Sequence, residues 1–312
     1  FPSVLSPPEP VIKTPTMTDS SGRRTALANW IASEKNQLTA RVMVNRIWQH
    51  HFGRGIVNSS NNFGNIGDKP THPELLDWLS TRFMQSGWKL KSMHKLIMLS
   101  NTYQMSSQAS EKELAADPAN NLYWRFNMRR LSSEELRDSV HAVNGRLNLK
   151  MGGPSIYPII PQEVFAGQSR PGAGWGNSSE EERARRAVYI FIKRSLVEPL
   201  MADFDFADVD STCPVRFVTT QPTQALSLLN SEFMNRQAAI FAEFLKKKAG
   251  PDSAKQVALG LRRATQRQPT KPEIDRGVGL INSLKADGVP EDIATKYYCL
   301  TLFNLNEFLY LD

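Results

Sequence analysis

Apolar residues recur every three or four positions along much of this chain, and the clearest example is the segment 38–53. One side of that segment carries Met43, Val44, Ile47, Trp48 and His51. The other side carries Arg41, Asn45, Arg46, Gln49 and His50. Because this is the period of a helix with one buried face, we predict an amphipathic α-helix here. Thr39 suits its N-cap, and Gly53 suits the left-handed residue that ends it.

The same period predicts further helices over 23–33, 71–87, 92–103, 132–147, 219–248, from 270 onward and over 290–303. Three of their starts place a hydroxyl residue three positions before a Glu, at 71–74, 132–135 and 270–273. This is the spacing of a capping box, in which the two side chains bond each other's backbone N–H groups.

One stretch favours a β-strand, residues 188–192, because it is rich in β-branched and aromatic side chains and is bounded by charge. Residues 215–218 are its predicted partner. The whole pattern predicts a mainly α protein, a multi-helix domain of roughly eight to ten helices with a small two-stranded β element in the second half.

Changes in composition divide the chain into three parts. Residues 1–22 are rich in proline and predict an extended arm. Residues 23–150 form an N-terminal helical half, and residues 151–312 a C-terminal half with a Gly-rich loop, the β element and long helices. Two domains that divide near Lys150 and one continuous domain both fit this pattern. The chain begins at Phe1 rather than Met, which favours a processed or excised piece of a longer protein.

The net charge of +7, from 38 Lys and Arg against 31 Asp and Glu, permits binding to nucleic acid or another acidic polymer. The basic residues are spread along the chain, and their clusters are not interleaved with aromatic residues. We therefore do not expect a nucleic-acid partner. No apolar run approaches the roughly 20 residues of a transmembrane helix.

The chain has two cysteines, Cys213 and Cys299, too few for a disulfide scaffold or a cysteine-rich zinc module. It has no Cys-x-x-Cys-His sequence, which is the attachment site of a c-type haem. We therefore expect no cofactor in this chain. Whether the two thiols pair depends on the distance between their Cα atoms.

Three residues of the predicted 38–53 helix are the catalytic candidates: His50, His51 and Arg46. A histidine on a dry, apolar face has a shifted pKa, which suits proton transfer. The alternative is a core histidine bonded to a backbone carbonyl and an arginine that braces packing through its methylene stem. The other histidines receive no functional role, with one predicted to be exposed, His94, and two beside helix starts or apolar stripes, His72 and His141.

A Gly-rich segment, residues 167–179, holds two candidate ligand-binding residues, Trp175 and Arg170. Its glycines have neither the phosphate-loop nor the dinucleotide spacing. An exposed Trp175 would stack on a sugar ring, and Arg170 would bind an anionic group. The alternative is a surface loop without a ligand.

Four aspartates within eight residues are candidate calcium ligands: Asp203, Asp205, Asp208 and Asp210. Calcium prefers carboxylate oxygens, but the spacing differs from that of an EF-hand loop and the glycine of that loop is missing. The alternative is that these aspartates cap turns and pair with nearby arginines.

Seven segments together resemble a known family: RVMVNRIWQHHFGRG (41–55), HPELLD (72–77), SNTYQ (100–104), RLSSEELRD (130–138), MGGPS (151–155), TTQPTQAL (219–226) and NEFLY (306–310). In this order they are similar to the planctomycete PSD domain, domain of unknown function 1553. The resemblance implies an exported parent protein, periplasmic or secreted, in which the domain follows a companion domain and often a cytochrome-c-like domain that carries haem c. It implies no catalytic residues.

Two functions are compatible with these observations. The first is a non-catalytic helical accessory domain that docks onto neighbouring domains of the same polypeptide, as the amphipathic helices and many aromatic residues suggest. The second is a polysaccharide-binding or polysaccharide-degrading module, which the positive charge and Trp175 favour. Glycoside cleavage requires two carboxylates roughly 5–10 Å apart. The sequence shows no such pair, so it does not decide whether the chain is an enzyme.

Overall fold

The computed structural model describes residues 9–13, 20–36 and 38–312, so most of the predicted proline-rich arm lies outside the described residues. The chain forms two compact units, unit 1 (Phe1–Met128, with Asp312) and unit 2 (Arg129–Leu311). The boundary between the units therefore lies earlier in the chain than the predicted division near Lys150. Whether either part folds as an independent domain stays a prediction.

The described residues of unit 1 form five helices: α1 (Arg23–Ile31), α2 (Thr39–Phe52), α3 (Pro73–Gln85), α4 (Leu90–Met98) and α5 (Glu111–Ala116). The core lies where α2 packs against α3 and α4. Its buried side chains include Val44, Ile47, Trp48, Phe52, Leu79, Phe83, Met93 and Ile97. The predicted amphipathic helix is thus confirmed, and its apolar face is buried except at Met43, which is 40 % exposed.

The two ends of α2 form differently from each other. Gly53 has a φ of 75°, so the predicted left-handed end is confirmed. The predicted N-cap was wrong, because Leu38 is the N-cap and Thr39 is already helical. The side chain of Asn36 instead accepts from the N–H groups of Leu38 (3.0 Å) and Thr39 (3.3 Å). These first N–H groups of a helix need an acceptor from outside the helix.

Two of the three predicted capping boxes are present, at Ser132–Glu135 and Thr270–Glu273. The third, at 71–74, was wrong, because His72 is the N-cap of α3 and makes no side-chain capping bond. Thr71 Oγ1 donates to the carbonyl of Ile56 instead (3.3 Å). A tertiary hydrogen bond has therefore replaced the local one.

Unit 2 contains the remaining elements: β1 (Arg129–Arg130), α6 (Ser133–Val143), α7 (Gln162–Ala166), α8 (Glu180–Arg183), a 3-10 helix (Ala187–Tyr189), α9 (Pro199–Asp203), α10 (Pro222–Asn230), α11 (Glu232–Ala249), α12 (Ser253–Thr265), α13 (Lys271–Ala286), α14 (Glu291–Phe303), α15 (Asn306–Leu309) and β2 (Tyr310–Leu311). The predicted mainly α class is confirmed. The described residues form ten helices of nine residues or more and five short ones.

The core of unit 2 forms where α11 packs along α14, with α12 and α13 beside them. Phe241 of α11 and Phe303 of α14 stack with their ring centroids 5.7 Å apart. On α13, a Cβ added to Gly277 would lie 2.6 Å from Cγ1 of Val257. The missing side chain therefore allows α13 to approach α12 closely.

The predicted location of the β element was wrong. Residues 187–189 form a 3-10 helix, and Ile190 makes only an isolated bridge to Ile156. The backbone N–H of Ala187 donates to Asp138 Oδ1 of α6 (2.7 Å), and the N–H of Tyr189 donates to the carbonyl of Arg186 (3.0 Å). These bonds bend the predicted strand. The two-stranded antiparallel sheet is instead formed by β1 and β2.

The predicted long helix from residue 219 is two helices, α10 and α11. Ser231 separates them with an extended backbone (φ −63°, ψ 142°), and its side chain accepts from the N–H of Met234 (3.3 Å). Because Ser231 is an N-cap, α11 begins afresh there. The break places the first turns of α11 opposite α6.

Candidate functional site

A cavity of about 150 Å³ lies within unit 2, between α6, α8, the first residues of α9, the first turns of α11 and the segment 158–161. Its apolar wall is formed by Pro158, Ile159, Pro161, Pro199, Leu200, Phe233 and Ile240. Its ionisable lining is formed by Arg137, His141, Arg146, Glu180, Arg183, Glu198, Glu232 and Arg236. We call this cavity the His141 pocket.

Helix α6 supplies Arg137 and His141, and the spacing of its apolar residues explains why both line the pocket. Leu136 and Val140 are fully buried in the core of unit 2. Arg137 and His141 each follow a core residue by one position, so they lie four residues apart on the adjacent strip of the helix. That strip lines the His141 pocket.

His141 is 4 % exposed, and neither of its ring nitrogens has a hydrogen-bond partner among the described residues. Its ring meets the ring of Phe233 edge-on, with centroids 5.5 Å apart. Burial, with the nearby charges of Arg137 and Arg146, lowers the pKa of His141 to about 3. At neutral pH the imidazole is therefore uncharged, with one N–H donor and one acceptor nitrogen.

Arg137 lies beside His141 and is almost fully buried. Its guanidinium donates to the carbonyls of Arg183 and Arg185 and lies 5.7 Å from the ring centroid of Phe233. Burial lowers the pKa of Arg137, opposed by the attraction of Glu198. An arginine nevertheless keeps its charge at neutral pH. This charge lies in a region of low dielectric.

Glu198 is the N-cap of α9, and its side chain accepts from the N–H of Met201 (2.9 Å). Burial raises the pKa of this carboxyl group, opposed by that hydrogen bond and by the charge of Arg137. The pKa values of both Glu198 and Arg137 thus move in the direction that disfavours charge. Burial is the largest influence on the pKa of both groups, and Glu198 compensates the charge of Arg137 only in part.

The polar rim of the pocket has an arginine excess. Glu180 pairs with Arg146 (3.2 Å) and with Arg236 (3.5 Å), so one carboxylate faces two guanidinium groups. Arg183 donates through Nη2 to the amide oxygen of Asn177 (2.6 Å). Its Nε is buried and has no hydrogen-bond partner in the described part of the chain. The lining can therefore accept negative charge.

Trp175 is not the exposed platform that the sequence predicted. Its ring is half-buried and meets the rings of Tyr157 and Phe191 at centroid distances of 5.6 and 6.1 Å. Its Nε1 donates to the carbonyl of Pro158 (3.1 Å). Because Pro158 lines the His141 pocket, Trp175 supports the pocket wall from behind. Arg170 is exposed and lines a separate surface hollow with Lys193.

The histidine candidates of unit 1 lie in a different environment. His51 is half-buried, and its Nε2 lies 2.8 Å from Nδ1 of His94. The prediction that His94 is exposed was wrong, because this bond holds it half-buried. His50 is exposed, and so is Arg46, which donates to Asn61 Oδ1 (3.3 Å). These residues belong to unit 1, whereas the His141 pocket lies within unit 2.

Asn45 lies in α2, and the sequence pattern predicted that it would lie on the polar side of this helix. It is fully buried, and its amide accepts from the N–H of Val57 (2.8 Å) and donates to the carbonyl of the same residue (2.9 Å). A Cβ added to Gly55 would lie 2.6 Å from Asn45 Nδ2. Asn45 therefore holds the segment around Val57 against α2, and the absence of a side chain at Gly55 allows this close approach.

The candidate calcium ligands bond to protein groups. Asp203 accepts from Ser227 Oγ, and Asp205 pairs with Arg130 (2.5 Å). Asp208 accepts from the N–H of Asp210 (2.9 Å). Asp210 itself pairs with an arginine, Arg194. These contacts are those of the alternative interpretation, in which the aspartates cap turns and pair with arginines.

Three further properties concern the described residues only. They contain no group of three or more His, Cys, Asp or Glu side chains placed to hold one metal ion. None of their helices is both long enough and apolar enough to cross a membrane. Both cysteines are free thiols, Cys213 exposed and Cys299 buried. Burial raises the pKa of the Cys299 thiol, which keeps it protonated.

Sequence reasoning missed the residues that the structure brings together in unit 2. His141 received no role, and neither Arg137 nor Glu198 was singled out. A signal was present, because Arg137 and His141 are four residues apart beside a strip of core residues. Glu198 gave no signal, since only the fold brings α9 to α6.

Comparison with known proteins gives one match. The family model described as "PSD1: Protein of unknown function (DUF1553)" matches residues 23–281, which is more than half of the chain. No curated protein and no solved structure matches the chain. The predicted resemblance is thereby confirmed, and the chain is a member of the PSD1 family of proteins of unknown function (DUF1553).

Proposed function

We propose that this chain is a non-catalytic accessory domain of a larger exported protein, and that its His141 pocket binds a compact organic anion. One observation carries the proposal. His141 and Arg183 both line one apolar-walled cavity, and three of their nitrogen atoms are buried without a hydrogen-bond partner among the described residues: His141 Nδ1, His141 Nε2 and Arg183 Nε. Each such atom costs about 1–3 kcal/mol, so native proteins rarely retain several together.

The size of the cavity supports a ligand of about one ring. A cavity of about 150 Å³ is large enough for benzene in an otherwise packed protein core. The His141 pocket has a similar volume, and Phe233 offers a ring face to an apolar or carbohydrate ring. A mostly apolar cavity with a few converging polar groups is the usual form of a small-molecule site.

The charges support an anion. Within the described part of the chain, Arg137 and Arg183 form no ion pair with a carboxylate. Arginine presents several N–H donors in a plane, which matches a carboxylate or a phosphate. An anion that enters the pocket would therefore meet donors whose charge the protein compensates only in part.

The geometry supports binding rather than catalysis. His141 is a poor proton acceptor at neutral pH, because its pKa is about 3. Glycoside cleavage requires two available carboxylates on either side of the bond. In the pocket, Glu180 is held by two arginines and Glu198 caps α9. Neither carboxylate is available as a member of such a pair, and the third carboxylate of the lining, Glu232, is exposed.

Isothermal titration calorimetry of the intact chain with D-glucuronate, cyclohexanecarboxylate and D-glucose tests this proposal. We expect at least one of the two acids to bind and D-glucose to bind at least tenfold more weakly. Arg183→Met should weaken acid binding at least tenfold, because it removes the unpartnered Nε. Arg262→Met is the control, since Arg262 is exposed on α12 outside the pocket. The proposal fails if neither acid binds.

A second candidate function, docking onto a neighbouring domain of the same polypeptide, is supported by exposed apolar side chains. Phe217 is 83 % exposed and Val218 62 %, and Leu226 and Leu229 of α10 are about half exposed. Such side chains commonly mark interaction surfaces. Hydrogen exchange of residues 215–229 should be slower in the intact parent protein than in this chain. Equal exchange would rule out docking through this segment.

The setting of the parent protein is part of the same proposal. An extracytoplasmic location and a neighbouring cytochrome-c-like domain with haem c follow from the family resemblance. Fractionation of the native host, with detection of the parent protein by antibody, would test the location.

A further inference from the structure

We propose that the His141 pocket selects hydroxylated acids, so that its ligand is an acidic sugar unit rather than an apolar acid. This inference rests on the proposed function, because it concerns which organic anion the pocket takes. It follows from the donors and acceptors that the buried side chains leave without partners.

The two ring nitrogens of His141 require different partners. In the neutral ring one nitrogen donates a hydrogen bond and the other accepts one. A carboxylate accepts but cannot donate, so it can satisfy only the N–H of the ring. The accepting nitrogen needs an N–H or O–H from the ligand. A hydroxyl group meets this need, because it both donates and accepts.

The arginines of the pocket do not meet that need. A guanidinium N–H could donate to the accepting nitrogen, but no described arginine bonds either ring nitrogen of His141. Arg137 instead donates to the carbonyls of Arg183 and Arg185, and Arg146 pairs with Glu180. The accepting nitrogen persists at neutral pH, because Arg137 and Arg146 together with burial disfavour the protonated ring.

Two neutral acceptors of the pocket lining are already engaged. Gln237 Oε1 accepts from Asn144 Nδ2 (2.7 Å), and Ser231 Oγ accepts from the N–H of Met234 (3.3 Å). A ligand hydroxyl is therefore directed toward His141, whereas a ligand carboxylate is directed toward Arg183. The ring that joins these two groups would pack on Phe233. This combination is that of a hexuronic acid.

Selectivity should be large because the partner nitrogen is buried. A site built to hydrogen-bond a hydroxyl group discriminates strongly against an analogue without it, since a buried polar atom is then left unpaired. D-Glucuronate and cyclohexanecarboxylate share a six-membered ring and one negative charge and differ in hydroxyl groups and in the ring oxygen of the sugar. We expect D-glucuronate to bind the intact chain at least tenfold more tightly.

The His141→Phe variant tests the residue. Phenylalanine keeps an aromatic ring but removes both nitrogens, so the preference for D-glucuronate over cyclohexanecarboxylate should fall to less than threefold. A second measurement does not depend on a variant. Titration of the ¹⁵N-labelled wild-type chain with D-glucuronate should shift both ring nitrogens of His141 in NMR spectra, and cyclohexanecarboxylate should shift at most one.

The outcomes separate this inference from the proposed function. If the two acids bind equally well, hydroxyl selection is refuted while the anion pocket stands. If neither acid binds, both proposals fall. If D-glucuronate binds but the ring nitrogens of His141 do not respond, selection by His141 is refuted.

Discussion

Histidines of the two units differ in how the protein satisfies their ring nitrogens. In unit 1, His51 and His94 bond each other at 2.8 Å. In unit 2, His141 is more deeply buried, and its ring nitrogens have no partner in the described part of the chain. A buried polar group with a protein partner serves the fold, whereas one without a partner destabilises the fold until another molecule meets it.

Asn45 and Arg183 show the same contrast, although Trp48 Nε1, Arg54 Nε and Arg125 Nε of unit 1 are also buried without a hydrogen-bond partner among the described residues. Asn45 of unit 1 fastens both backbone groups of Val57. Arg183 of unit 2 leaves its Nε free of protein partners among the described residues. Asn45 therefore serves structure, although α2 contains the densest run of chemically useful side chains. The proposed ligand site lies where the sequence is less conspicuous.

The largest effect should come from Asn45→Leu. The change leaves the N–H and the carbonyl of Val57 buried without a partner, each at about 1–3 kcal/mol. We expect the free energy of unfolding of unit 1 to fall by about 2–5 kcal/mol in urea titrations. Asn58→Ala is the control, because Asn58 is exposed and its side chain bonds only Asp68 in the described contacts. Equal losses in both variants would contradict a structural role for Asn45.

The next effect concerns the pH dependence of stability. The pKa of His141 is about 3 in the folded chain, against 6.5 for an unperturbed histidine, so the unfolded chain takes up a proton first as pH falls. Stability is therefore complete above pH 6.5 and declines between pH 6.5 and 3, by about 1.4 kcal/mol per pH unit.

His141→Phe removes this titration. Between pH 7 and 4, the variant should lose about 3 kcal/mol less of its unfolding free energy than the wild type. Denaturant titrations at several pH values measure the difference. Identical slopes in the two proteins would show that His141 titrates normally in the folded state, which would weaken the contrast with unit 1.

Replacing Glu135 of α6 should change the free energy of unfolding less, and over a different pH range. Arg129 and the N–H of Ser132 bond this carboxylate, and its pKa is lowered to about 2 although burial opposes the shift. A lowered carboxyl pKa contributes stability above pH 4.5, which is lost as pH falls toward 2. Glu135→Gln should cost about 1 kcal/mol at pH 7, because the side chain is 43 % exposed and solvent screens the pair.

The matched control for Glu135→Gln is Glu113→Gln in the exposed capping box of α5. We expect a smaller loss there, because no arginine pairs with Glu113 among the described contacts. The two losses are compared by denaturant titration at pH 7 and pH 2.5. A loss at Glu135 that persists at pH 2.5 would contradict the ionic origin.

The smallest effect should come from Trp175→Phe. The change keeps an aromatic ring against Tyr157 and Phe191 but removes the donor to the carbonyl of Pro158. We expect a loss of about 0.5–1 kcal/mol in stability. Binding of D-glucuronate should weaken only a few-fold, since Trp175 acts through the pocket wall. A complete loss of binding would instead place Trp175 in direct contact with D-glucuronate.

Local signals predicted most of the helices. The capping residues Ser132 and Glu135 and the left-handed Gly53 act within a few residues of their own helices, so the sequence reveals them directly. The strand at 188–192 was wrong because Asp138, about fifty residues away, binds the backbone of Ala187. The helix break at Ser231 was missed because the apolar pattern continues on both sides of this serine, so its role as the N-cap of α11 did not stand out.

The sequence by itself determined the mainly α class, the starts and ends of several helices, and membership of the PSD1 family. These follow from periodicity and capping, which depend on neighbours along the chain. Only the tertiary structure decided which polar side chains find partners. Asn45 meets Val57 in unit 1, whereas His141 meets an apolar wall of unit 2, because contacts between distant segments set the hydrogen bonds of a buried side chain.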